Sequence, residues 1–253
     1  MSLARIIVIS ILLGFGATVR AQILNAESLR KVTDTSGFSG AATASFSLKR
    51  NVNQFVTLAS NVHVQYKMNR HLALFKTDIS FQKIEGDKFE NSYISHLRYN
   101  YKLQSHIAWE VFTQGQFNKV NLIDFRGLVG TGPRYKLTTI ENYKLFVGTL
   151  AMLEYEEVAD GVTPLQRDLR GSAYFSFSLF PTPTVSVVST TYYQPQLDQW
   201  NDYRISSQSS LLIDLFENFA FKTTYTFTYD AFPAVGIPNS QYDLTTGLAY
   251  TFD

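Results

Sequence analysis

Period-two alternation of apolar and polar residues runs through most of the chain. In residues 38–49, "FSGAATASFSLK", one face carries Phe38, Gly40, Ala42, Ala44, Phe46 and Leu48. The other face carries Ser39, Ala41, Thr43, Ser45, Ser47 and Lys49. Residues 56–66 repeat the pattern, with Val56, Leu58, Ser60, Val62, Val64 and Tyr66 opposite Thr57, Ala59, Asn61, His63 and Gln65. Similar stretches at 72–83, 89–103, 106–117, 122–135, 144–156, 168–180, 184–194, 202–214, 219–229 and 242–252 bring the predicted strands to twelve. Their length sets the class. Strands of soluble proteins usually run about 5–6 residues, whereas a strand tilted about 45° needs roughly 9–11 to cross the hydrocarbon of a membrane.

The apolar faces end in aromatic residues, such as Tyr99 and Tyr101, Trp109 and Phe117, Tyr192 and Tyr193, Tyr225 and Tyr229. Such girdles mark the two interfaces of an outer-membrane barrel. The opposite faces carry Ser, Thr, Gln, Asn, Arg and Glu, which predicts a wet lumen and not a packed core. Joints after even strands are mostly short (Lys67–His71, Leu103–Ser105, Pro181–Pro183, Phe216–Asn218). Those after odd strands include the longer Val158–Arg167, Pro195–Asn201 and Ala231–Gln241. Two joints depart from this: 136–144 is long where a short turn is expected, and the first outer joint, near Arg50–Asn53, is short. Lipid cannot satisfy an open sheet edge, so the last strand must pair with the first. The expected fold is all-β: a closed antiparallel up-and-down transmembrane barrel of about 12 strands over residues 37–253.

The start of the chain places it in the envelope. "MSLARIIVISILLGFGATVRAQ" has Arg5, an apolar or small run from Ile6 to Val19, and a small-x-small end at Val19-Arg20-Ala21. This reads as a signal peptide, residues 1–21, cleaved after Ala21. Its run falls short of the roughly 20 apolar residues of a spanning helix. Residues 22–36 are polar with some helical spacing, and are expected to form a periplasmic segment. Removing residues 1–21 reduces 22 cations to 20 against 21 acids, which argues against a nucleic-acid partner. There is no cysteine, so burial and backbone pairing alone must hold the fold.

The final strand, "TTGLAYTF", resembles the terminal signal of outer-membrane barrels: Thr245, Gly247, Tyr250 and Phe252 supply its polar residue, glycine and two aromatics. The resemblance implies reading by the barrel-assembly machinery, although Asp253 extends one residue past the usual terminal aromatic. The stretches 190–213 and 221–252, with "HLRYNYKL" (96–103) and "DFRGLVGTGPRYKL" (124–137), resemble the salt-induced outer-membrane protein family, a domain of unknown function. That resemblance implies an outer-membrane barrel and brings no reaction, ligand or catalytic residue.

Candidate chemistry is sparse. Gly127, Gly130 and Gly132 are not in dinucleotide order and precede no helical pattern, so they read as strand glycines. His63, His71, His96 and His106 lack metal-ligand spacing, and no cofactor or metal is expected. A lipid-acting enzyme of the outer-membrane phospholipase kind is the alternative, but its His-x-Ser-type signature is missing. Folding the hairpins about their apparent turn centres predicts a lumen charge row in which Arg98 faces Glu110, Glu110 faces Arg126, Arg126 faces Glu154, and Glu154 faces Arg170. The same folding sets Asp78 against His96 and Lys76 against Arg98. The expected protein is a non-enzymatic monomer among outer-membrane lipids, acting as a narrow channel or as a structural, envelope-stress protein. A bulky, cross-linked lumen would favour the closed, structural role.

Overall fold

The computed structural model describes residues 36–50, 54–84, 88–140 and 142–252. The signal peptide, all of the 22–36 segment except Ser36, and Asp253 lie outside them. The strands are β1 (Gly37–Arg50), β2 (Gln54–Met68), β3 (His71–Ile84), β4 (Lys88–Lys102), β5 (Ile107–Asn118) and β6 (Ile123–Lys136). They continue as β7 (Tyr143–Val158), β8 (Gln166–Thr182), β9 (Val185–Pro195), β10 (Tyr203–Phe216), β11 (Phe219–Asp230) and β12 (Ser240–Phe252). Each pairs antiparallel with its neighbours in sequence, and β12 returns to β1 to close the barrel. Closure rests on a short seam, Gly40–Ala44 against Phe252–Leu248.

Alternation is cast directly into inside and outside. Phe38, Phe46, Leu58, Phe75, Leu97, Val129 and Leu248 are exposed on the outer surface, while Ser39, His63, Gln65, Lys76 and Arg98 are buried within. Aromatic pairs band the exterior at both ends. Phe38 and Tyr66 lie 4.5 Å apart between ring centres, and Phe219 meets Tyr250 at 5.2 Å near the short turns. Tyr193, Tyr203 and Tyr229 stack in a row near the long loops.

Asn69 and Asn218 take left-handed backbone conformations in two of the short turns, where a short polar side chain tolerates positive φ. At the opposite end lie the longer connections 159–165, 196–202 and 231–239, and a 3-10 turn, Lys119–Asn121, joins β5 to β6. The long joint expected at 136–144 is present as 137–142.

The interior departs from the expected wet lumen. Inward positions on β5 to β9 hold a packed apolar cluster of Phe112, Leu128, Leu150, Met152, Tyr174 and Tyr192. Glycine on the neighbouring strand makes room for two of these rings. Gly130 lies opposite Phe112 and Gly148 opposite Tyr174. A Cβ at either glycine would come within 2.3 Å or 2.1 Å of the ring it faces. These are strand glycines of the close-approach kind.

Candidate functional site

Among the described residues, two extended ion networks and a cavity stand out in the barrel interior. The first network centres on Glu110 of β5, which has no solvent exposure. Its carboxylate accepts from Asn100 Nδ2 at 2.9 Å, Arg134 at 3.3 Å and the Tyr174 hydroxyl at 2.6 Å, with Arg98 3.7 Å away. The Tyr174 bond crosses the lumen from β8 to β5. The Arg134 guanidinium lies 3.8 Å from the centre of the Phe146 ring, a cation–π contact. Arg98 Nε donates to His96 Nε2 at 3.3 Å, so that nitrogen offers its lone pair and the ring proton sits on Nδ1. Nδ1 in turn meets Gln114 Oε1 at 3.1 Å.

The second network lies toward the long loops. Arg126, Arg170 and Arg204 meet Glu154, Glu156, Asp168, Asp202 and Asp230. Arg126 Nε is 3.3 Å from Glu154 and also bonds Glu156. Arg170 is fully buried, bonding Glu154 at 2.5 Å and Asp202 at 2.8 Å. Arg204 bonds Asp230 at 2.8 Å and spans from β10 to β7, contacting Glu154 and reaching Glu156 at 3.2 Å. Buried charges need such multiple partners, since a lone one would carry an unrecovered desolvation cost.

All five residues of the expected charge row point inward, but direct opposition is not their geometry. Arg98 is paired in register with Phe112, and Glu110 with Gly132. Arg126 is paired with Glu156, and Glu154 with Asp168. Arg98–Glu110, Arg126–Glu154 and Arg170–Glu154 meet diagonally, because an offset of two residues keeps the face and long side chains bridge it. Glu110 and Arg126 are offset by six residues, roughly 20 Å along a strand, and Arg134 takes Arg126's place beside Glu110. Lys76 is paired in register with His96, not Arg98, and Asp78 with Ile94. The Asp78 carboxylate instead lies 3.5 Å from Lys76 on its own strand.

Sequence reasoning missed Arg134, Glu156, Tyr174, Arg204, Asp202 and Asp230. Strand parity puts Arg134, Glu156, Tyr174 and Arg204 on the inner face, a signal available from the alternation. Asp202 and Asp230 share the parity of Arg204 and Thr228, but one lies in the loop before β10 and the other is the last residue of β11, where the alternation is just ending.

In the final strand, Tyr250 is exposed on the outer surface, and Thr245 and Gly247 face the lumen. Thr245 donates to Asp243 at 2.6 Å. The backbone of Phe252 pairs with Gly40. Of the histidines, His71 Nδ1 bonds the Tyr99 hydroxyl at 2.6 Å, and His106 Nδ1 meets its neighbour Ser105 at 3.2 Å on an exposed turn.

Open space lies beside the networks. A cavity of about 440 Å³ runs beside β10, β11, β12, β1 and the outer halves of β2 to β5, lined by side chains such as Asn61, Ser80, Gln116, Thr224, Thr226 and Gln241. It extends from Thr228 and Gln241, near the long loops, to Lys222, close to the short-turn end of β11. Below it the interior is sealed by Leu72, Leu74, Ala220 and Ala249, with Gln65 bonded to Ser39 at 2.9 Å.

Comparison with known proteins agrees with this architecture. The family described as "Protein of unknown function, DUF481" matches residues 33–252. No curated protein matches the sequence. Among solved structures, the NanC porin superposes with a TM-score of 0.51 at 10% identity, covering 86% of this chain and 100% of that chain. The translocator domain of autotransporter NalP from Neisseria meningitidis gives 0.48 at 11% identity over 86% and 89%. The KdgM porin gives 0.45 at 10% identity over 85% and 99%. At such identities the NanC likeness shows the fold alone, that of an outer-membrane barrel.

Proposed function

We propose, starting from a chain that belongs to the DUF481 family of proteins of unknown function, that it is a monomeric outer-membrane barrel serving as a narrow, normally shut passage for small polar solutes. The observation that carries this is the polar cavity reaching most of the way through a barrel sealed at its short-turn end. The Glu110 and Arg204 networks brace the closed state by tying strands across the lumen. The lipid-facing exterior and its aromatic bands support insertion in the outer membrane. Delivery there follows from the signal peptide, and assembly from recognition of Thr245, Gly247, Tyr250 and Phe252 by the barrel-assembly machinery. The resemblance to salt-induced outer-membrane proteins supports a role under osmotic stress.

Planar-bilayer recording of folded protein tests the passage. Wild type is expected to give brief, small openings, and Tyr174→Ala, which removes the bond from β8 to Glu110, longer and larger ones. Silence from both, with a heat-modifiable folded band on gels, would leave the closed, structural role in place of the channel.

A further inference from the structure

Among the described residues, three charged side chains line the cavity: Asp78, Lys222 and Asp243. Their arrangement is uneven. Asp78 is already paired at 3.5 Å with Lys76, which is 1% exposed and lies beneath the cavity floor. Lys222 stands in the field of both Asp78 and Lys76. One carboxylate thus stands between two lysine side chains, and Lys76 already holds it. Of those two, Lys222 faces the open space, and among the described residues no hydrogen bond holds its ammonium.

Above Lys222 the inner face of β11 continues as Thr224, Thr226 and Thr228, a ladder of hydroxyls two residues apart. Asp243 is paired in register with Thr226, four residues up the strand and roughly 13 Å from the Lys222 position along it. It is therefore too far to pair with Lys222. The volume, about 440 Å³, falls at the small end of the ~300–1,000 Å³ of ligand pockets, which suits a single small solute.

We infer that the cavity binds small polyhydroxylated monocarboxylates, with the carboxylate on Lys222 and the hydroxyls on the threonine ladder and the facing amides. An anion there gives the Lys222 amine a counter-charge of its own, and a hydroxylated chain extends the bonds that Thr224 and Thr226 already make with Ser210 and Gln208. Asp243 sets the polarity, since a negative group at the upper end would meet a carboxylate. The inference rests on the reading above, in which the cavity is reached from the long-loop side.

Calorimetry on the full-length folded protein in detergent tests it with sodium gluconate, sorbitol and sodium acetate as probes. Gluconate is expected to bind at least about tenfold more tightly than sorbitol, which lacks the charge, and acetate, which lacks the hydroxyls. Lys222→Gln is expected to lower gluconate affinity about tenfold or more, Lys222→Arg to restore most of it, and Thr224→Val to weaken it several-fold with the charge intact. No gluconate binding by wild type, equal binding of sorbitol, or equal affinity in Lys222→Gln would overturn the site. Should Lys222→Gln fail to give the folded band, the wild-type probe series and Thr224→Val still decide. Gluconate binding without bilayer conductance would keep the site and remove the passage, whereas conductance without binding would do the reverse.

Discussion

At the scale of single residues, Asp160 organises two outer loops. Its carboxylate accepts from the Thr163 hydroxyl and from the amides of Thr163 at 2.8 Å, Val162 at 2.9 Å and, from the β11–β12 loop, Val235 at 3.1 Å. The Thr163 hydroxyl and these amides hold its ionised form well below the usual carboxylate range. A depressed carboxylate contributes stability that is full above its unfolded pKa, about 3.9, and is lost as pH falls through the lower folded value. Amide exchange at Val162, Thr163 and Val235, corrected for intrinsic rates, is thus expected to stay protected through mildly acidic pH and to lose protection only in stronger acid. Asp160→Asn is expected to speed exchange at all three amides at pH 7. Unchanged exchange would show that the loops are held by other contacts. None of this was legible in the sequence, since a loop aspartate says nothing about a loop 75 residues away.

At the scale of strands, period two made the elements readable. The stretch 72–83 became His71–Ile84, and 219–229 became Phe219–Asp230. Register was not readable in the same way. An even offset leaves every side chain on its face, so the pattern that sets inside from outside is silent about how far neighbouring strands slide. The slide put Arg134, not Arg126, beside Glu110. The interior cluster did leave a trace: "LFVGTLAML" (145–153) is apolar or small on both faces, which means one face packs inside the barrel. Removing the hub of the Glu110 network tests its weight. Glu110→Ala leaves Arg98 and Arg134 buried without their carboxylate and is expected to cost about 3–5 kcal/mol in guanidinium unfolding of the detergent-folded protein. The double variant Glu110→Ala/Arg134→Ala is expected to cost less than the sum of the single ones, since both changes break the same ion pair. Strict additivity would mean that the two residues do not act as a pair.

At the scale of the whole molecule, the barrel depends on a seam between its first and last strands, the pairing with the greatest sequence separation and so a large loop-closure cost. Ala249 is buried within it. Ala249→Pro removes a backbone donor and fixes φ there, and is expected to abolish the heat-modifiable folded band. Ala234→Pro in the outer loop is expected to leave that band intact, and an unaffected band in Ala249→Pro would show that the seam is dispensable to closure. By itself, the sequence determined how many strands there are, which face meets lipid, and that the sheet must close, because alternation and unsatisfied edges are local or universal constraints. Only the tertiary structure decided the registers, the partner of each inward charge, the packed apolar wall and the off-centre cavity. These depend on the relative slide of strands and on which side chains fill a shared interior, and alternation along one strand carries neither.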